Sequence, residues 1–249
     1  MAILKTENLS YVYSGGTPFE KMAVNNVNIE IEKGEFVGVI GHTGSGKSTV
    51  VKLLLRFYDV NKGAIYINGK DIRCIEKSQL YSMFAAVLQQ DFLYADTVEE
   101  NIKFGRDISF DYVKEAAKTA QADSFITELT DNYQYRLSPY GTNISGGQRQ
   151  RTLIARALAN NPEILILDDS SSALDYKTEE TLRKALSDKM KQTTVVTVAQ
   201  RVSSVKDSDT ILVLDEGKII GIGTHEQLLE SCPEYREISD SQMGGAFVD

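Results

Sequence analysis

Short apolar, β-branched runs bounded by glycine or acidic turns recur along the chain at 36–40, 64–67, 164–167, 194–198, 211–214 and 219–222. Their length and flanks predict strands. Several are continuous rather than alternating, as in strands buried on both faces of a parallel sheet with helices packed on either side. Asp215-Glu216-Gly217, between the last two runs, predicts a tight hairpin. Between residues 90 and 160 the strand signal nearly vanishes. Val113, Ala116, Ala117 and Ala120, then Phe125, Ile126 and Leu129, follow a period near 3.6 and predict helix over 111–129. A further helix is expected from Gly147 to about Ala159. Asn160-Asn161-Pro162 ends it, because asparagine accepts the left-handed cap and proline cannot continue. The pattern is an α/β core at both ends of the chain, residues 1–88 and 161–240, with a helical subdomain at 89–160 and a C-terminal tail at 241–249.

Composition narrows the class. Of 249 residues, 42 % are apolar and 25 % charged, which fits a folded protein and argues against disordered, collagenous and disulfide-scaffold chains. No apolar run approaches the roughly 18 to 20 residues that cross a bilayer. The opening MAILKTENLSYVY turns polar too early for a secretory signal, so a cytosolic location is expected. Cys74 and Cys232 read as reduced thiols. The net charge of −8 disfavours a nucleic-acid binder and leaves room for a local anion pocket.

Such a pocket is written into residues 41–48, GHTGSGKS, a match to G-x-x-x-x-G-K-[ST]. The strand FVGVI before it and the helix-like TVVKLLLRFY after it supply the required context. Gly41, Gly44 and Gly46 let the backbone fold tightly enough to aim successive N–H groups at phosphate oxygens. Thr43, Ser45 and Thr49 share that cradle, and the following helix adds the positive end of its dipole. Lys47 would reach the β and γ phosphates, and the Ser48 hydroxyl would ligate Mg²⁺.

Residues 164–169, ILILDD, form an apolar strand ending in two carboxylates. Asp168 can hold Mg²⁺ through water, and Asp169 is placed to orient or deprotonate an attacking water. Alone, such a pair is a common turn former. Beside the phosphate loop it reads as the second half of a nucleotide site. Residues 143–151, NISGGQRQR, set Ser145, Gly146 and Gly147 directly before a helix. The plain reading is a glycine-rich cap. The other is a second phosphate cradle, which in a chain already owning one suits a nucleotide held by another chain.

Phosphate loop, SGGQ, ILILDD and then SALD at 172–175, in this order, resemble the nucleotide-binding domain of an ATP-binding cassette (ABC) transporter over about residues 3–240. The resemblance implies an α/β fold: a RecA-like P-loop NTPase core with a β-rich N-terminal part and an inserted α-helical subdomain. It also implies a head-to-tail dimer around two ATP molecules, each between one chain's loop and the other's signature, Ser145 to Gln148. By the same resemblance Tyr13 stacks on adenine, with Tyr11 a second candidate and a core tyrosine the plain alternative. Gln89 senses Mg²⁺ and the attacking water, although Gln90 is adjacent and the assignment could shift by one. Asp175 reports across the dimer interface. Arg149, Arg151 and Arg156 are read as solvated or structural helix charges.

Two positions depart from the family's pattern. The usual general base is glutamate and here is Asp169; the usual switch histidine corresponds to Gln200 in VTVAQRV. His42 lies inside the phosphate loop, and His225 reads as a surface residue at a helix start. With an intact ISGGQ, the pair resembles the degenerate-site half of a heterodimeric ABC exporter, slow at its own site and completing a competent site on a partner. A slow homodimer is the alternative. Residues 9–49 resemble instead the ATPase of an energy-coupling-factor importer, and the remainder an exporter, so the chain is either a recombinant or one divergent lineage. Residues 137–143, LSPYGTN, replace the exporters' glutamate-rich loop.

The leading expectation is an ATPase that powers a transporter through its transmembrane domain, peripheral to the cytoplasmic side of the cell membrane, with no nucleic acid bound. An importer's separate ATPase subunit is the first alternative. An ABC ATPase of DNA repair or translation would call for a coiled-coil insertion, tandem cassettes or a basic surface. A regulatory ATP-binding module is the last.

Overall fold

The computed structural model describes residues 2–170 and 172–243. Its elements, in chain order, begin with β1 Ala2–Tyr13, β2 Lys21–Glu32, β3 Phe36–Ile40, α1 Lys47–Leu54, β4 Lys62–Ile67, β5 Lys70–Asp71 and α2 Lys77–Met83. There follow β6 Phe84–Val87, α3 Val98–Lys103, α4 Phe110–Thr119, α5 Asp123–Glu128, α6 Gly146–Leu158, β7 Ile164–Asp168 and α7 Tyr176–Lys189. The last are β8 Thr194–Val198, β9 Thr210–Asp215, β10 Lys218–Gly223, α8 His225–Ser231 and α9 Pro233–Met243. They form two compact units, residues 1–84 with 194–249 and residues 85–193. Of the expected tail, residues 241–243 belong to α9 and the rest lies outside the described residues.

The first unit holds the five strands expected outside 164–167, and more. β1 pairs antiparallel with both β2 and β4, setting Leu4 opposite Ile31 and Ile67 and Thr6 opposite Ile29 and Ile65. One face is apolar: Leu4, Leu9, Val24, Val27, Ile31, Ile65 and Ile67 are buried. β1 and β2 extend the strand set N-terminal of residue 36; their apolar residues are interleaved with Asn, Glu and Lys, the alternation of a half-exposed sheet rather than a continuous run. In the other sheet of this unit β3 lies between β8 and β9, parallel to both, and β10 returns antiparallel along β9. The hairpin turn has Glu216 and Gly217 both at positive φ, 44° and 77°, as a two-residue turn matched to strand twist requires.

α8 and α9 cover part of this sheet, with Leu228, Tyr235 and Ile238 buried beside Ile211 and Val213. His225, expected at the surface, opens α8 but is only partly exposed. Tyr235 is fully buried and its hydroxyl needs a partner, which His225 Nδ1 supplies at 2.8 Å.

The second unit carries β6 and β7 side by side, and its other regular elements are helices. The single helix expected over 111–129 is two, α4 and α5. Gln121 takes φ 58° and Ala122 N–H closes onto Ala117 O, ending one helix and starting the next. The apolar period survives the break: Val113, Ala116, Ala117, Ala120, Phe125 and Ile126 are all buried, and Leu129 partly. α6 ends as expected, with Asn161 in the left-handed region at φ 46°. Cys74 is exposed and Cys232 buried, neither in a disulfide.

Arg156 is structural. Its Nε donates to Asn101 O at 2.8 Å, Nη1 to Phe92 O at 2.9 Å and Nη2 to Asn101 Oδ1 at 2.9 Å. The guanidinium also lies over Phe104, 4.6 Å from the ring centre. Burial pushes its pKa down to about 10, opposed by the Asp91 carboxylate. Arg156→Met is expected to destabilise the protein by about 2–4 kcal/mol, because the backbone acceptors it satisfies are left unmatched. A lower urea midpoint at unchanged m-value is the readout.

Candidate nucleotide site

β3 is buried almost throughout and delivers the chain to the loop at Gly41. A Cβ at Gly41 would lie 2.1 Å from the Leu214 carbonyl, so two backbones meet where only glycine fits. Gly44 and Gly46 take φ 86° and 105°. Ser45 N–H donates to His42 O, and Gly217 N–H donates to Ser45 O at 2.9 Å, bracing the loop against the β9–β10 turn. Val50 N–H then bonds Gly46 O and α1 begins. Lys47 arches back over the loop, its Nζ 2.5 Å from Gly41 O, 2.8 Å from His42 O and 3.3 Å from Ser45 Oγ. Thr43, Gly44 and Ser48 are exposed, so the loop presents its backbone and two hydroxyls to solvent at the positive end of α1.

Tyr13, at the end of β1, brings its hydroxyl to 3.4 Å from Thr49 Oγ1 on α1. It stands edge-on to Tyr11, ring centres 4.9 Å apart, and to Tyr58 at 5.9 Å. Tyr11 packs within this cluster, where burial raises its hydroxyl pKa. Of the two candidates, Tyr13 is the one bonded to the helix that follows the loop.

β8 is the parallel neighbour of β3, with Val198 opposite Val39. Gln200 therefore leaves the same carboxyl edge of the sheet as the phosphate loop, the edge at which parallel α/β sheets bind ligands. Its carbonyl accepts from Gln242 Nε2 at 2.8 Å, and Gln242 Oε1 accepts from Val202 N–H at 2.8 Å. α9 thus clamps the segment that carries Gln200.

In the second unit, Asp168 ends β7 and is 7 % exposed. Asp169 follows at φ 52°, a left-handed conformation that aspartate accepts more readily than most residues. The signature segment opens α6. Ser145 is its N-cap, with Oγ accepting from Gln148 N–H at 3.2 Å, while Gln148 Oε1 accepts from Ser145 N–H at 2.9 Å. This reciprocal box satisfies two backbone donors and holds the helix start rigid. Gly147 approaches the loop before α7 so closely that a Cβ would be 3.2 Å from Ala173 O, and Gly146 faces Ala173 Cβ at 3.7 Å. Asp175 caps α7, accepting from Thr178 N–H at 3.0 Å and Thr178 Oγ1 at 2.7 Å; these bonds hold its carboxyl below the usual range. Gln89 and Gln90 are both exposed at the tip of a turn closed by Asp91 Oδ2 on Leu88 N–H, 2.8 Å. Burial raises the Asp91 carboxyl.

One exposed feature lies outside the residues expected from the sequence. Phe92, Tyr94, Phe104 and Tyr140 form an exposed aromatic patch, with ring centres 5.1 to 5.6 Å apart in sequence of contact. The signal was present: DFLY places two aromatics in a polar loop, and LSPYGTN a third.

Ser48 of the first unit carries a hydroxyl and Asp168 of the second a carboxylate, each an oxygen donor of the kind Mg²⁺ takes.

The family model of the ABC transporter matches residues 24–172. The chain is 47 % identical over 221 residues to the ABC transporter ATP-binding protein YknU of Bacillus subtilis, covering 88 % of this chain and 38 % of that protein. It is 41 % identical over 246 residues to the ATP-dependent lipid A-core flippase of Hahella chejuensis, covering 98 % and 41 %. Among solved structures, a bacterial Atm1-family ABC exporter with ATP bound matches with a TM-score of 0.91 and 36 % identity over 96 % of this chain and 42 % of that one. The chain therefore spans about two fifths of the length of these relatives. No described helix is long and apolar enough to cross a membrane. The chain belongs to the ABC transporter family, of which it is a nucleotide-binding domain.

Proposed function

We propose that the chain binds ATP with Mg²⁺ and hydrolyses it slowly, powering an exporter through head-to-tail pairing with a second, catalytically better nucleotide-binding domain. The observation that carries this reading is the signature. Ser145 and Gln148 lock the start of α6 while Gly146, exposed, leaves its backbone open. A rigid helix N-terminus in a chain that already owns a phosphate loop is suited to the nucleotide of a partner.

At its own site Lys47 draws on the β and γ phosphates, and Gly44, Ser45 and Gly46 donate backbone N–H groups to them. Ser48, and Asp168 through water, would hold Mg²⁺, with Gln89 the residue that would sense it; the ion would supply charge neutralisation on the transferring phosphoryl group. Tyr13 stacks on the base. Asp169 takes the proton of the attacking water, and the Gln200 amide donates to the γ-phosphoryl oxygen. Both carry out these tasks poorly: the carboxylate is one methylene short, and an amide cannot accept and release a proton as an imidazole does. Asp175, on the cap of α7, is the group that senses the partner.

Export is supported by the names of the relatives, a flippase and an exporter among them. The aromatic patch around Phe92 and Tyr140 is apolar enough to seat a transmembrane partner's cytoplasmic end, which supports a position at the cytoplasmic side of the cell membrane. Residues 137–143 thus contribute an aromatic where exporters carry a glutamate-rich loop.

Steady-state Mg·ATP hydrolysis tests the proposal, with the chain alone and mixed with a partner that carries glutamate and histidine at the matching positions. Tight ATP binding with negligible turnover alone, and turnover on mixing, is the expected result. Brisk turnover alone, rising with the square of protein concentration, would overturn the slow-site reading.

A further inference from the structure

Within the first unit lies a cavity of about 440 Å³ between the segment after Gln200, the start of α8 and the end of α9. Arg201, Ser203, Lys206, His225, Ser239 and Gln242 are among its lining, and none of the lining side chains is acidic. Its size is that of a small-molecule site.

Three observations give the lining a ligand chemistry. Arg201 and Lys206 are cations that form no ion pair among the described residues. Ser239 is 1 % exposed, and its Oγ is, among the described residues, the buried side-chain oxygen that meets no hydrogen-bond partner. Native structures rarely leave such a hydroxyl unmatched. His225 has Nδ1 engaged by Tyr235 and keeps Nε2 for another partner. Two unpaired cations beside a buried, idle donor, with no competing carboxylate, suit a compact dianion.

We propose that this cavity binds a small soluble phosphomonoester, its phosphoryl group taken by Arg201, Lys206 and the Ser239 hydroxyl. The organic part lies against Val202 and the aliphatic stems of the two cations. Gln242 lines the same cavity and bonds both Gln200 O and Val202 N–H, so an occupant packs against the clamp on the Gln200 segment. Any effect of occupancy on hydrolysis rests on the role proposed above for Gln200; binding does not.

Phenyl phosphate, titrated calorimetrically into the chain saturated with Mg²⁺ and a non-hydrolysable ATP analogue, is the first experiment. Saturable one-to-one binding is expected, weakened about tenfold or more by Arg201→Ala with Lys206→Ala, a loss of about one decade in affinity. Ser239→Ala is expected to weaken binding while leaving the thermal midpoint of the free protein no lower, since it deletes an unmatched group. Should the double variant fail to fold, Lys206→Gln, at a partly exposed position, takes its place. Absence of saturable binding, binding that vanishes once the ATP analogue fills the phosphate loop, or binding unchanged in the charge variants would each overturn the site. Binding only to vesicles containing phosphatidic acid, and not to phenyl phosphate, would overturn the soluble occupant. Confirmed binding with unaltered turnover in the mixed dimer would leave the site standing and refute the link to Gln200.

Discussion

Asp169→Glu combined with Gln200→His is expected to raise ATP turnover of the dimer about 100-fold, because restoring a methylene moves the carboxylate by about 1 Å and misplacement on that scale costs about two decades in rate. The two changes act on one reaction: glutamate reaches the attacking water, and histidine supplies a group able to hold and release a proton near neutrality. Either change alone is expected to yield less than its share, since residues that act as a unit are strongly non-additive. The backbone adds a second readout. Asp169 sits at φ 52°, and glutamate is less at home there than aspartate. The double variant should therefore melt slightly lower while turning over faster. A thermal scan beside the kinetics separates this from a general improvement of the fold. Unchanged turnover in a dimer that still binds ATP would count against the degenerate-site account.

Gly46→Ala is expected to abolish measurable ATP binding and to lower stability by about 2–4 kcal/mol, the range for strain at a special backbone position combined with a backbone clash. Gly46 holds φ 105°, which L side chains rarely adopt, and a Cβ there would stand 2.5 Å from the Ala23 carbonyl and 3.3 Å from Gly217 Cα. Neither neighbour is a side chain that can turn aside. The loop must shift as a body, and Lys47, the next residue, shifts with it. Gly44→Ala is the control: its Cβ meets nothing within 4 Å, so its cost is the backbone strain at φ 86° alone. Titration of a fluorescent nucleotide and a denaturant series on both variants would separate clash from strain.

β3, β7, β8 and β9 could be read from sequence because burial on both faces makes them continuous apolar runs bounded by turns, whereas β6, four residues at 84–87, was not among the expected strands. β1 and β2 were not among the strands expected from the pattern, since a half-exposed strand alternates and its polar residues dilute the signal. The break between α4 and α5 had no signal at all: Gln121 is an ordinary helix former, and its left-handed turn follows from the tertiary fit of Ala120, Ala122 and Phe125, all buried. Site chemistry was legible where it is written in contiguous residues, as in the phosphate loop. The capping box of Ser145 and Gln148 also follows the S-x-x-Q spacing, although its mechanical role was masked by the more conspicuous glycines. The clamp of Gln242 on the Gln200 segment joins residues forty apart through a backbone geometry that no local pattern encodes.

The brace behind the phosphate loop bears on how the protein is made. Gly217 N–H bonds Ser45 O, and Asn25 N–H bonds Gly217 O, so the turn between β9 and β10 ties the loop to the start of β2. Leu214 O closes over Gly41 from the same hairpin. A ribosome finishes GHTGSGKS long before it reaches residue 217, and a nascent chain at that stage lacks the wall against which the loop is shaped. The braced form of the loop thus becomes available only late in synthesis, once the β9–β10 turn has been made.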